Sequence, residues 1–391
     1  MKLKARPEDF LVQEVSDYPL SSREAPYAVF RLSKSSWDTF DLIDLLARRM
    51  RVKREDISVG GMKDRHGSTS QLVSVRGLPG APRSFGERNF SLEFAGYCDR
   101  AISAKEIRGN RFSLTLRDLT ERETALYAQN AVIAAVDGIP NYYDEQRFGS
   151  ARHKAGFMGK EMFLGRREAA LKLYFTPSKH DDQKTRKLKR CVTDNWGHWE
   201  RCAELGFGEY GRILSYLREH PRAHHAALAL IDKRFLVFAL NAYQSFLFNE
   251  VLARSIAALS TERGFAVREL AYGFGRFLFP EKLPDGLSAE LFARSLPVPG
   301  YDSVLSDPAI RRIVEDVLAG EQVRLSDLRV RQMRRISAHG VERAAFVRPE
   351  DLDVAAAVED ELYPGKLKMR LDFFLPRGSY ATLLVKRLGV P

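Results

Sequence analysis

The run Gly60-Gly61-Met62-Lys63-Asp64-Arg65-His66-Gly67 sets a carboxylate between two fixed cations inside a glycine-bounded loop. It follows the strand-like Ile57-Ser58-Val59, and loops held by a rigid element commonly carry binding or catalytic groups. Opposite charges a few ångströms away favour the ionised form of an acid. Asp64 is therefore expected to be a carboxylate at neutral pH, able to act as a nucleophile. The same residues also suit an ordinary charged turn whose surface ion pairs contribute little. Charge alone does not separate the two readings.

Other chemistry-bearing residue types are sparse. His220, His224 and His225 lie around Pro221 and read as a solvated cluster. Gly206 to Gly211 fits GxGxxG letter by letter but follows no strand candidate, so it reads as a turn and not as a dinucleotide loop. Cys98, Cys191 and Cys202 form an odd set without CxxC spacing and read as reduced thiols. Even with His198 between them, Cys191 and Cys202 fall short of the four ligands a structural zinc takes, and no metal is expected.

A loop of this kind needs a sheet to hold it. Phe10 to Val15, Tyr27 to Leu32 and Leu72 to Arg76 are rich in β-branched or aromatic residues and read as strands. Phe112, Leu114 and Leu116 alternate with Arg111, Ser113, Thr115 and Arg117, a period of two that gives one apolar and one basic face. Leu367, Met369, Leu371 and Phe373 alternate in the same way, and the turn residues Pro376-Arg377-Gly378 predict a second strand over Tyr380 to Val385. Helical spacing runs from Trp37 to Met50 with Ser36 as the expected cap, and from Arg122 to Val136. After Phe148-Gly149 the texture changes. A charged stretch, Lys179 to Arg190, precedes helical patterns at Leu236 to Ile256 and Pro308 to Leu318. Strands at both chain ends with helices between predict an α+β domain over 1–150 plus 346–391, interrupted by a mostly helical domain over 151–345.

At 391 residues the chain exceeds the usual size of one core. Its 45% hydrophobic and 29% charged residues exclude a disordered chain. Sixty-two Lys and Arg against 51 Asp and Glu leave a charge of +11, which favours polyanionic partners. The start, Met1 to Asp9, is charged, and no apolar run reaches membrane-spanning length. A cytoplasmic protein with no membrane partner is expected.

Several segments together resemble the TruD family of pseudouridine synthases. Gly61-Met62-Lys63-Asp64-Arg65-His66 is similar to its catalytic loop, Lys4-Ala5-Arg6-Pro7-Glu8-Asp9-Phe10 with Val12 and Glu14 to its N-terminal motif, and Gly109-Asn110-Arg111-Phe112 to its third. Gly138 to Tyr143 with Gln146-Arg147-Phe148-Gly149, Tyr243 to Asn249, and Leu375 to Thr382 resemble three further motifs in the right order. The resemblance implies an α+β pseudouridine synthase core with a mixed, mainly antiparallel sheet, interrupted by a mostly helical α/β insertion domain, with RNA in the cleft between them. It implies tRNA as partner, uridine-13 of the D-arm as target and Asp64 as nucleophile. Lys4 would pair with Asp64, Phe10 and Tyr380 would line the uridine pocket, Asn110 would hydrogen-bond the uracil edge and Phe112 would pack on the base. Tyr380 stands where the family commonly has phenylalanine, which keeps the ring face and adds a hydroxyl.

Breaking an N-glycosidic bond and rejoining the base through carbon is redox-neutral, so no cofactor is expected. The reaction needs one carboxylate and a base taken out of its stack. Whether that carboxylate attacks ribose or base, or assists elimination, stays open. A basic stretch such as Lys179 to Arg190 suits contact with RNA backbone, and Arg329, Arg331, Arg334 and Arg335 suit phosphates or solvent equally. A non-catalytic RNA-binding protein has no need of a carboxylate near phosphates, and a methyltransferase would need a glycine-rich loop after a strand. Oligomeric state is not legible beyond a leaning to a monomer.

Overall fold

The computed structural model describes residues 1–63, 67–330 and 337–391. Asp64, Arg65 and His66 of the loop, and Arg331, Arg334 and Arg335 of the basic run, lie outside the described residues. The chain divides into two compact units, Met1–Ile139 with Val347–Pro391, and Pro140–Phe346. The sequence reading set the first crossing at 150–151, whereas the units change at 139–140. Asn141 to Tyr143 belong to the second unit because Asn249 clasps the Tyr143 backbone on both sides, at 2.8 Å each, and Arg343 donates to Asn141 O at 2.8 Å.

The first unit is built on a sheet of ten strands among the described residues. In chain order these begin with β1 (Phe10–Ser16), β2 (Tyr27–Ser35), β3 (Ile57–Val59), β4 (Ser68–Arg76), β5 (Phe85–Glu87), β6 (Phe90–Cys98) and β7 (Ile107–Leu119). Strands Glu350–Val354, Val358–Glu359 and Leu367–Pro376 return after the second unit. The order across the sheet is Glu350–Val354, Leu367–Pro376, β7, β1, β4, β2, β6, β5. Only β1 and β4 run parallel among the described pairs, and the rest are antiparallel, so the sheet is mixed.

Two helical elements cover one face. Helix α1 (Thr39–Met50) lays Leu42, Ile43, Leu46 and Met50 on Phe30, Leu32, Val73 and Leu92. Its cap is Asp38, which accepts from Phe40 N at 2.8 Å, and not Ser36. The helix starts two residues later than expected, and Phe40, expected in the core stripe, is 44% exposed. Helix α2 (Glu121–Asp137) begins on a Thr120/Glu123 capping box. It packs with Ala381–Leu388, which is a helix and not the second arm of a hairpin. Ala381, Leu384, Val385 and Leu388 are all buried, at the three- and four-residue spacing of one helical face.

The N-terminal motif is stapled by a buried charge cluster. Arg117, 4% exposed, holds Asp9 at 2.9 Å, Asp360 at 2.9 Å and Glu361 at 3.0 Å. Asp9 also accepts from Arg6 N at 2.8 Å, and Lys2 pairs its backbone with that of Arg117. This fixes the path of the chain from Lys2 to Phe10.

In the second unit, Lys233–Arg263 is the central helix. It is long and apolar enough to cross a membrane, but 72% of its apolar window is buried inside the unit, so its hydrophobicity serves a core. Gln244 donates to Pro299 O and His339 O at 2.9 and 3.0 Å, which explains a polar side chain at a buried position. Cys191 and Cys202 are joined by a disulfide, contrary to the expectation of free thiols. The end of helix Gln183–Asp194 and the turn Trp199–Leu205 bring their Cα atoms to 5.9 Å, within bridging range. Spacing along the chain does not show that approach. Cys98 is a free, buried thiol.

Candidate active site

Side chains of a strand alternate between faces, and the strand registers decide which residues share one. Val12 pairs with Phe112 and Glu14 with Asn110 across β1 and β7, and Phe373 and Leu375 face Phe112 and Asn110 from the other side. Phe10, Val12, Glu14, Asn110 and Phe112 therefore lie on the face that carries α1 and α2. Phe10 and Phe112 meet edge to face with centroids 6.3 Å apart, and Phe112 stacks on Phe373 at 5.3 Å. Lys4 has a left-handed backbone, φ 65°, and its Nζ lies 4.0 Å over the Phe10 ring. Such a cation over an aromatic face is attracted by the ring quadrupole.

The loop that leads to Asp64 is tied down at both ends. A Cβ at Gly67 would meet Phe10 O at 2.7 Å and Phe10 Cδ1 at 3.0 Å, so only glycine lets the chain return this close to β1. Gly61 O accepts from buried Gln71 at 3.2 Å. The Lys63 backbone is held by Thr39, whose Oγ1 donates to Lys63 O at 3.2 Å, and by buried Lys34, which donates to Lys63 O at 3.4 Å and Trp37 O at 2.8 Å.

The Lys63 side chain turns down to the sheet. Its ammonium lies 2.8 Å from Glu14 Oε2 and donates to Asn110 Oδ1 at 2.8 Å. Its charge thus faces a buried carboxylate and an amide oxygen of the sheet. Close backbone approach explains the glycine before Asn110. A Cβ at Gly109 would collide with Leu375 O and lie 2.5 Å from Phe374 Cζ.

The structure thus brings Phe10, Asn110 and Phe112 to one sheet face, with Lys4 over Phe10. Asp64 lies outside the described residues, between the fixed Lys63 and Gly67. Tyr380 caps the helix Ala381–Leu388, five residues beyond Leu375, the partner of Asn110 in the sheet. Glu14, Lys34, Thr39 and Gln71 were not singled out as holding the loop. Glu14 carried a signal, since it falls in phase with Phe10 and Val12 on the buried side of β1. Among the described residues no cluster of three or more His, Cys, Asp or Glu is arranged for a metal.

A depression of about 730 Å³ opens on the opposite face of the sheet, lined by Leu11, Gln13, Ser33, Ser35, Ser68 and Ser70 among others. Phe112 is among the residues that line it, and Phe10 and Asn110 are not.

A family model described as tRNA pseudouridine synthase D (TruD) matches residues 1–388. A Methanococcus maripaludis protein described as "Probable tRNA pseudouridine synthase D 1" is 30% identical over 99% of both chains. The tRNA pseudouridine synthase D of Leptospira interrogans is 28% identical over 99% of this chain and 95% of its own. A crystal structure assigned to the TruD of Methanosarcina mazei superposes with a TM-score of 0.73 at 25% identity, covering 99% of this chain and 92% of that one. With the α+β sheet and the motif-bearing face described above, these matches establish that the chain belongs to the TruD family of pseudouridine synthases.

Proposed function

We propose that this protein isomerises uridine to pseudouridine in tRNA, at uridine-13 of the D-arm, with Asp64 as the essential carboxylate. The observation that carries the reading is the meeting of Phe10 with Asn110 and Phe112 of another, sequence-distant strand on one sheet face beside the anchored ends of the Asp64 loop. In the reaction the C1′–N1 bond breaks, the uracil turns, a C1′–C5 bond forms, and the proton leaves C5 while N1 gains one. Atoms and electrons balance without an external oxidant or reductant. A base lifted from its stack needs aromatic faces and an amide to receive it. Phe10 and Phe112 supply the faces, Asn110 the amide and Tyr380 a further ring, and Lys4 pairs with Asp64. Pseudouridine mapping on a tRNA with uridine at position 13 and on the same tRNA with cytidine there tests the target. A single modified position in the first and none in the second is expected; modification elsewhere in both would refute uridine-13 as the target.

Unit two offers a second contact with tRNA. In the helix Gln183–Asp194, Arg186 turns back to Lys179 O and Asp181 O, and Lys189 is buried against Asp181. Lys184, Lys187 and Arg190 are left exposed at three-residue spacing, with Lys184 resting 4.1 Å over the Phe207 ring. Phosphate contacts of this kind show in salt dependence. Replacing the three by glutamine is expected to weaken tRNA binding and to flatten the plot of log affinity against log salt by about 2 to 3. Titrations between roughly 50 and 200 mM salt measure it, and an unchanged slope removes this helix from the RNA contact.

A further inference from the structure

Lys63 adjoins Asp64, yet its side chain points away from the loop and is 9% exposed, against Glu14 at 1%. Burying such a pair carries a desolvation cost that attraction between the charges only partly recovers, which raises the question of what the pair secures. An ammonium has three donors and no acceptor. One faces Glu14 Oε2 and another donates to Asn110 Oδ1, each at 2.8 Å.

Amide oxygen and nitrogen are close to indistinguishable by shape, and their placement normally follows from the surrounding network. Here it follows from chemistry, because an NH₂ group cannot accept from an ammonium. The oxygen of Asn110 is thereby engaged, and among the described residues none accepts from Nδ2. Glu14 is itself fixed in the sheet, its other oxygen accepting from Leu72 N at 3.4 Å.

We infer that Lys63, held by Glu14, is a positioning residue that fixes the Asn110 amide as a donor toward the target base, so that the site accepts the O4 carbonyl of uracil and rejects the N4 amino group of cytosine. The inference rests on the proposal that Asn110 meets the uracil edge. Uracil and cytosine differ at that edge by an exchange of acceptor for donor, and a donor facing a donor leaves both unpaired on burial. The pair lies beneath the loop, so a single ion pair anchors the residue before Asp64 and orients the group that reads the base.

The test is the ratio of affinities for tRNA bearing uridine or cytidine at the target position. The wild type is expected to favour uridine about tenfold. Lys63→Met frees the amide to turn and should bring the two affinities to within about twofold. Asn110→Asp keeps one oxygen on Lys63 and offers the other as an acceptor, and should reverse the order in favour of cytidine. Thermal melting verifies that each variant is folded. If Lys63→Met alone fails to fold, the double variant Lys63→Met/Glu14→Gln removes both charges and takes the same measurement.

A Lys63 variant that keeps the uridine preference overturns the inference, including the case in which both affinities fall equally. If Asn110→Ala also keeps the preference, Asn110 does not meet the base and the site reading fails. If Asn110→Ala loses the preference while the Lys63 variant keeps it, the site reading stands and the orienting role of Lys63 alone is wrong.

Discussion

Asp64→Asn is expected to reduce pseudouridine formation by at least about 10³-fold, the scale on which removing a nucleophile acts. Asparagine keeps the shape of aspartate but has neither its charge nor its nucleophilicity. The flanks of position 64 are fixed by other groups, Lys63 by Thr39, Lys34, Glu14 and Asn110, and Gly67 by its approach to Phe10. The loop should therefore keep its course. Binding should be unchanged or slightly tighter, since a carboxylate beside RNA phosphates repels them. Single-turnover mapping with purified variant and tRNA, alongside a binding titration, separates the terms. Equal rates for variant and wild type would remove Asp64 from its role, and loss of binding together with activity would point to a collapsed loop.

The second large effect is on stability. Arg117→Ala is expected to cost about 3 to 5 kcal/mol, the range for removing one partner of a buried ion pair. Asp9 and Asp360 are buried beside it and would be left without their countercharge. The loss should appear as a lower urea midpoint. Activity at temperatures where the variant is still folded should fall as well, because Asp9 sets the course of Lys4 to Phe10. An unchanged midpoint would mean that the cluster is not coupled to folding.

The same cluster predicts a pH dependence. Hydrogen bonds from Arg117 and Lys368 hold the Glu361 carboxyl down, at about 2 against an ordinary 4.5. Burial raises that of Asp360, but the N–H groups of Asp118 and Leu362 and the Arg117 guanidinium lower it further, for a net depression. Carboxyls depressed in the folded state stabilise it above their unfolded pKa values and lose that contribution as pH falls through the folded ones. The wild type should lose stability between about pH 4.5 and 2, and Arg117→Ala should lose less over the same window.

Period-two alternation placed β7 and Leu367–Pro376, and richness in β-branched and aromatic residues placed β1, β2 and β4. The turn signal after Leu367–Pro376 misled at Tyr380 to Val385, where it invited a hairpin while the apolar spacing was helical. Asp38, two residues on, displaced Ser36 as the cap because its carboxylate accepts from Phe40 N and Asp41 N. Phe10, Asn110 and Phe112 were legible through motif resemblance, and strand register explains why they meet. The turn of Lys63 toward Glu14 was not legible. The two are 49 positions apart, and only the parallel pairing of β1 with β4 and the return of the loop bring them together. The disulfide was hidden in the same way, by a helix end and a turn that converge in space.

The strand Leu367–Pro376 zips onto β7 from Leu119 to Gly109, although the whole second unit is encoded between them. At synthesis rates of about 5 to 20 residues per second, a nascent chain presents an unpaired β7 edge for roughly 10 to 50 seconds before its partner emerges. The second unit is contiguous in sequence and has no such wait. During that interval β7 is a place for chaperones to bind and for strand-mediated aggregation to begin, and a chain terminated before residue 367 is left with that edge permanently open.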